Sequence, residues 1–148
     1  MTMEFDELEK CMIAEMKNNY TETVIEHAIN PRNAGNIPDA DGYGSITGPC
    51  GDTMDIWLKV KDDKIGYASF WTDGCTTTIA CGSMATELIK GKDISQAMTI
   101  NQNGILETLG GLPPDNRHCA LLAANAVKAA LQDYLTLKRE PWKKAYRK

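Results

Sequence analysis

The run Pro49-Cys50-Gly51-Asp52-Thr53-Met54-Asp55-Ile56-Trp57-Leu58-Lys59-Val60-Lys61-Asp62-Asp63-Lys64-Ile65-Gly66-Tyr67-Ala68-Ser69-Phe70-Trp71-Thr72-Asp73-Gly74-Cys75 decides how the chain folds. Met54, Ile56, Leu58 and Val60 alternate with Asp55, Trp57, Lys59 and Lys61, the two-residue period of a strand with one buried face. Asp62-Asp63-Lys64 turns the chain, and residues 65–72 return as a second strand, so the pattern predicts an antiparallel hairpin. The first strand begins where the second ends. Cys50 and Cys75 are therefore expected to lie close in space, although they are distant in sequence.

Working outward, residues 76–90 carry apolar Ile79, Met84 and Leu88, with threonines to cap the start and Gly91 to stop the end, and they predict a helix. Cys75 then sits just ahead of a helix N-terminus. Gly82, inside that helix, costs roughly 1 kcal/mol relative to Ala and implies a close contact there. Cys81, one turn in, reads as a core cysteine. Before the hairpin, residues 32–49 are rich in Gly, Pro, Asn and Asp and form loops with one short edge strand around 43–47. Ahead of them a helix runs from Thr21 to Asn30, ended by Pro31, with Val24, Ile25, Ala28 and Ile29 on its apolar face. His27 is expected at the surface or core edge. Phe5, Leu8, Met12 and Met16 recur at helical spacing, so residues 1–18 read as an amphipathic helical extension with Cys11 packed near its apolar side.

Beyond the hairpin, residues 93–99 and 104–109 predict two short helices, the second broken by Gly110-Gly111. Then comes Leu112-Pro113-Pro114-Asp115-Asn116-Arg117-His118-Cys119, running into an Ala/Leu-rich helix former. The prolines stay outside the helix, Asn116 is expected to cap it, and His118 and Cys119 fall on its first turn. Unpaired N–H groups and the helix dipole favour a thiolate there, the form that attacks sulfur or binds metal.

At 148 residues, 43% hydrophobic and 24% charged, the chain reads as one globular domain. A net charge of −4 gives no general reason to expect nucleic-acid binding. The 138–148 tail is basic, with six Lys/Arg against one Glu, and reads as a solvated run. No long apolar stretch predicts a membrane span, and the acidic N-terminal residues resemble no signal or transit peptide, so the cytoplasm is the expected compartment. Five cysteines without a secretory signal point to free thiols, metal ligands or redox chemistry rather than a disulfide framework.

Cys50, Cys75 and Cys119, with Asp52 and His118 nearby, supply three thiolates, one carboxylate and one imidazole. That donor set suits zinc and suits an iron-sulfur cluster equally, and spacing does not choose between them. The parts of a zinc deaminase, a Cys-x-x-Cys exchanger, a P-loop and a dinucleotide-binding fingerprint are missing. A thiol hydrolase on Cys119 is disfavoured because neighbours on a helix point about 100° apart.

These residues resemble a known family, the U-type iron-sulfur cluster assembly scaffolds, IscU and the N-terminal domain of NifU. The resemblance runs from Tyr20 to Tyr134 through Tyr20-Thr21-Glu22-Thr23-Val24-Ile25-Glu26-His27, Asn30-Pro31-Arg32-Asn33, Cys50-Gly51-Asp52, Gly74-Cys75, Ala85-Thr86-Glu87-Leu88, Leu112-Pro113-Pro114 and His118-Cys119. It implies an α+β fold of the SufE/NifU-like, IscU type, a three-stranded antiparallel sheet with helices packed on one face. It implies a non-enzymatic scaffold that builds a transient [2Fe-2S] cluster and transfers it. Cys50, Cys75 and Cys119 would be the ligands, Asp52 and His118 the candidates for the fourth position, and Cys119 the first acceptor of persulfide sulfur. Iron is the implied metal, and zinc suits the same site. The implied partners are a pyridoxal-phosphate cysteine desulfurase of the IscS/NifS type, apo iron-sulfur acceptor proteins, and an iron donor or frataxin-like protein. Many members follow the Pro-Pro with Val-Lys, a segment read by an Hsp70-type chaperone. Asp115-Asn116 stands here instead, so that chaperone is not an expected partner. A persulfide carrier and a structural zinc protein are the alternative readings.

Overall fold

In the computed structural model, which describes residues 20–49 and 51–142, the alternating stretch is the middle of a three-stranded antiparallel sheet. The strands are β1, Gly42–Thr47; β2, Thr53–Lys61; and β3, Lys64–Thr72, in the order β1-β2-β3. Asp62 and Asp63 both take positive φ, 55° and 59°, which makes the two-residue turn whose twist suits a hairpin. Met54, Ile56 and Leu58 are wholly buried on one face, as their alternation predicts. Val60, at a register shift between Lys59 and Val60, is only half-buried.

The helices are α1, Glu22–Ile29; α2, Thr76–Ile89; α3, Ile94–Ala97; α4, Gln102–Leu109; and, after a 3₁₀ turn over Pro114–Asn116, α5, Arg117–Arg139. Helix α5 lies on β1 and β2, α2 lies on β3, and α1 packs on α2. Glycines permit the closest of these contacts. A Cβ on Gly44 would stand 2.4 Å from the Ala130 nitrogen, so α5 rests directly on the β1 backbone. A Cβ on Gly82 would stand 2.6 Å from the Phe70 ring, which is the close contact its place in a helix implies.

The boundaries moved where side chains cap. Asp93 and Gln96 form a capping box that starts α3 at Ile94, and the helix is shorter than the expected 93–99. Asn101 accepts from the Gly104 N–H and starts α4 two residues before the expected Gly104. His27 is buried rather than peripheral, because Ser83 Oγ on α2 receives the Arg32 N–H at 2.8 Å and lies 2.7 Å from His27 Nδ1. At the far end, Lys138 and the Tyr134 hydroxyl both donate to Asp63 Oδ1, at 2.7 and 3.1 Å, and tie α5 to the hairpin turn. The N-terminal extension with Cys11, the tail beyond residue 142, and Cys50 lie outside the described residues. Among the described residues, no helix is long and apolar enough to cross a membrane.

Candidate functional site

One end of the sheet gathers the start of β2, the end of β3 and the first turns of α2 and α5. The hairpin brings its two ends together as expected: the Thr53 N–H donates to Asp73 Oδ1 at 2.8 Å, and Thr72 Oγ1 donates to the Thr53 carbonyl at 2.6 Å. Gly51 takes a φ of 86°, a conformation glycine reaches without strain, and Asp52 follows it into the site.

The residue at the centre is Thr78, which the sequence reading did not single out. Its wholly buried hydroxyl donates to Asp52 Oδ2 at 3.3 Å and to Cys119 Sγ at 3.4 Å, and lies 3.7 Å from Cys75 Sγ. A hydroxyl carries one proton, so these donations alternate. Both sulfurs thus face one oxygen, and they can be no farther apart than the sum of those two distances. Three consecutive threonines at a helix start were the available signal. One hydroxyl can cap, and β-branched residues are indifferent helix formers, so three in a row serve something else.

Cys75 and Cys119 differ sharply. Cys75 is exposed and occupies the N-cap position of α2, where it replaces the threonine cap expected from sequence and makes no side-chain capping bond. Its partial burial pushes the thiol up, but the polar groups of Thr78, and then those of Thr77, around the sulfur at the start of α2 more than offset this. The net result is a thiol more acidic than usual, as expected at a helix N-terminus. Cys119 is 1% exposed, enclosed between α5 and the start of α2. Cys81 is wholly buried, and that burial, followed by the nearby charges of Cys119 and Cys75, holds its thiol far above the ordinary value. It is a core thiol within electrostatic reach of Cys119 and Cys75.

His118 Nε2 approaches Cys119 Sγ to 3.7 Å. The divergence expected of adjacent helical residues therefore does not keep them apart. Asn116 also departs from expectation. It stands at the N-cap of α5 but makes no capping bond, and its side-chain amide instead donates to Thr77 Oγ1 at 3.0 Å. Thr77 Oγ1 in turn donates to the Tyr20 hydroxyl at 3.4 Å, so the prolyl loop, the start of α2 and the chain just ahead of α1 are joined. Among the described residues, no three His, Cys, Asp or Glu side chains form a metal-binding group by themselves; the remaining candidate thiol, Cys50, is outside that set.

Sheet end, helix starts and converging thiols define an α+β protein with Cys75 at the N-cap of α2 and Cys119 on the first turn of α5. The chain belongs to the NifU-like N terminal domain family, which it matches over residues 19–140. It is 49% identical over 116 residues to the iron-sulfur cluster assembly scaffold protein IscU 1 of Archaeoglobus fulgidus, covering 78% of this chain and 76% of that one. To the scaffold protein IscU of Escherichia coli strain K12 it is 44% identical over 126 residues, covering 82% and 97%. Its fold is similar to that of the N-terminal NifU-like protein of Brucella abortus, with a TM-score of 0.64 at 18% identity, covering 82% of this chain and 97% of that one.

Proposed function

We propose that this chain is a scaffold on which an iron-sulfur cluster is assembled and from which it is transferred to acceptor apoproteins. The observation that carries this reading is the convergence of Cys75, Asp52 and Cys119 on the single hydroxyl of Thr78, in a chain 43–49% identical to proteins named as such scaffolds. Cys50, Cys75 and Cys119 are the thiolate ligands of a [2Fe-2S] unit, and Asp52 or His118 takes the fourth position. Thiolates hold iron firmly, whereas a carboxylate is harder and more exchangeable, so the ligand set suits a cluster that must leave. Zinc suits the same donors and can be carried by a protein isolated aerobically. Cluster and metal are cargo here, and the chain acts as a scaffold in the cytoplasm rather than as an enzyme.

Sulfur comes from a pyridoxal-phosphate cysteine desulfurase as sulfane sulfur, held on Cys119, and iron from a separate donor. The prolyl loop is not offered to an Hsp70-type chaperone, since Asp115 adds a negative charge and Asn116 is turned inward onto Thr77. A peptide of residues 112–118 is expected to show no measurable affinity for such a chaperone. The test of function is anaerobic reconstitution with ferrous iron, cysteine and a catalytic amount of desulfurase. Cluster absorbance that passes to an apo-ferredoxin supports the scaffold; a protein that gains persulfide but never a cluster is a sulfur carrier.

A further inference from the structure

The two described candidate ligand thiols of the site stand in different solvents. Cys75 is exposed, while Cys119, whose sulfur faces the same Thr78 hydroxyl, is 1% exposed. A docked desulfurase or a small persulfide must present its outer sulfur to a thiolate it can reach, and the surface offers Cys75. Exposed persulfides are reduced by free thiols in solution, so sulfur held for assembly is better kept where water and thiols do not enter. We propose that sulfur enters this site at Cys75 and is passed inward to Cys119 across Thr78, making Cys75 a relay nucleophile as well as a ligand. This rests on the scaffold reading and puts Cys75 in place of Cys119 as the first acceptor of its sulfur.

Two exchanges accomplish it. The Cys75 thiolate attacks the outer sulfur of a donor persulfide; a Cys75 Sγ–S bond forms, the donor's S–S bond breaks, and the donor leaves as a thiolate. The Cys119 thiolate then attacks the same outer sulfur, so that a Cys119 Sγ–S bond forms and the bond to Cys75 breaks with Cys75 leaving as a thiolate. The sulfane sulfur keeps its oxidation level throughout, so neither an oxidant nor a reductant is consumed.

The surroundings of each sulfur match its part. Cys75 must be both attacking group and leaving group, and it stands exposed at the N-cap of α2, where the positive end of the helix favours negative charge on sulfur in both roles. Thr78 Oγ1, in reach of both sulfurs and of Asp52, can follow the negative charge from one sulfur to the other with a turn of one O–H bond. Thr78 is therefore a positioning residue for the second exchange.

The test uses the full iron-free chain, mixed with glutathione persulfide and quenched with an alkylating agent at increasing times. Peptide mass spectrometry then locates the sulfane sulfur on each cysteine. Label is expected first on Cys75 and later on Cys119, with Cys75→Ser slowing the labelling of Cys119 about tenfold or more, the scale of losing a productive neighbouring nucleophile. Thr78→Val, which keeps the shape and removes the hydroxyl, is expected to slow the passage from Cys75 to Cys119 beyond any change in the labelling of Cys75 itself, so that the ratio of Cys75 label to Cys119 label rises several-fold at early times, with Thr78→Ser restoring the wild-type ratio. Labelling of Cys119 at the wild-type rate in Cys75→Ser, or first appearance of label on Cys119 or Cys50, overturns the relay while leaving the scaffold reading intact. If no cysteine of the wild type takes sulfur, and no cluster forms on reconstitution, the scaffold reading falls and the relay with it.

Discussion

Gly44→Ala asks whether the seat of α5 on β1 is what places Cys119. The added Cβ would lie 2.4 Å from the Ala130 nitrogen and 2.8 Å from both the Ala126 oxygen and the Ala129 carbonyl carbon, against 3.4 Å or more for an ordinary contact. All three neighbours are backbone, so no side chain can swing away, and α5 must lift by about 1 Å or the strand must bend. Overpacking of this kind costs typically about 1–3 kcal/mol. With a urea dependence of about 1–3 kcal/mol per molar for a small domain, the midpoint should fall by roughly 1 M. Circular dichroism at increasing urea reads this directly. The same lift draws the first turn of α5 away from Thr78, so Cys119 should become more accessible to a bulky thiol reagent in the folded protein. A midpoint and a Cys119 alkylation rate both equal to wild type would refute the claim that this glycine contact sets the helix.

Burial, aided by the Arg32 charge, holds His27 below its ordinary value of 6.5. Folded His27 resists protonation more than unfolded His27, so its stabilising contribution is complete above that value and is lost as pH falls through the lower folded one. Wild type should lose more urea resistance than His27→Gln between about pH 7.5 and about pH 5.5; parallel losses would assign the effect to other groups. Cys81→Ser is expected to build clusters as wild type does while losing roughly 1–3 kcal/mol of stability, because it places a hydroxyl without a designed partner among buried apolar groups. A variant that folds but cannot assemble would make Cys81 a ligand. Asp52→Ala should yield a longer-lived cluster, since the exchangeable donor is gone; equal or faster anaerobic decay of its visible absorbance counts against that role.

The hairpin was legible because Met54, Ile56, Leu58 and Val60 follow a period that only a strand satisfies, and a hairpin forces its two ends together. Cys119 on a first helical turn was equally readable, since prolines bar a helix before it and alanines favour one after it. Tertiary partners decided the rest. Asn116 has the chemistry of a cap, but its side chain is drawn into a bond across to another helix, its amide donating to Thr77 Oγ1, and its oxygen accepts nothing from its own helix start. Cys75 and Cys119 look alike in sequence, and their difference in exposure appears only once the first turn of α5 packs against α2. Thr78 became the centre because residues from three separate segments, Asp52, Cys75 and Cys119, meet there. No local spacing encodes that meeting.

Mössbauer spectra of the reconstituted wild-type protein, set beside those of Cys50→Ser, Cys75→Ser and Cys119→Ser prepared identically, bear most directly on the scaffold. The expected result is a diamagnetic pair of ferric sites in the wild type, which disappears as an apo-ferredoxin gains its cluster, and loss or alteration of that signal in each variant. A wild type that binds iron only as isolated mononuclear ions, or variants indistinguishable from it, would contradict cluster assembly on these three thiolates.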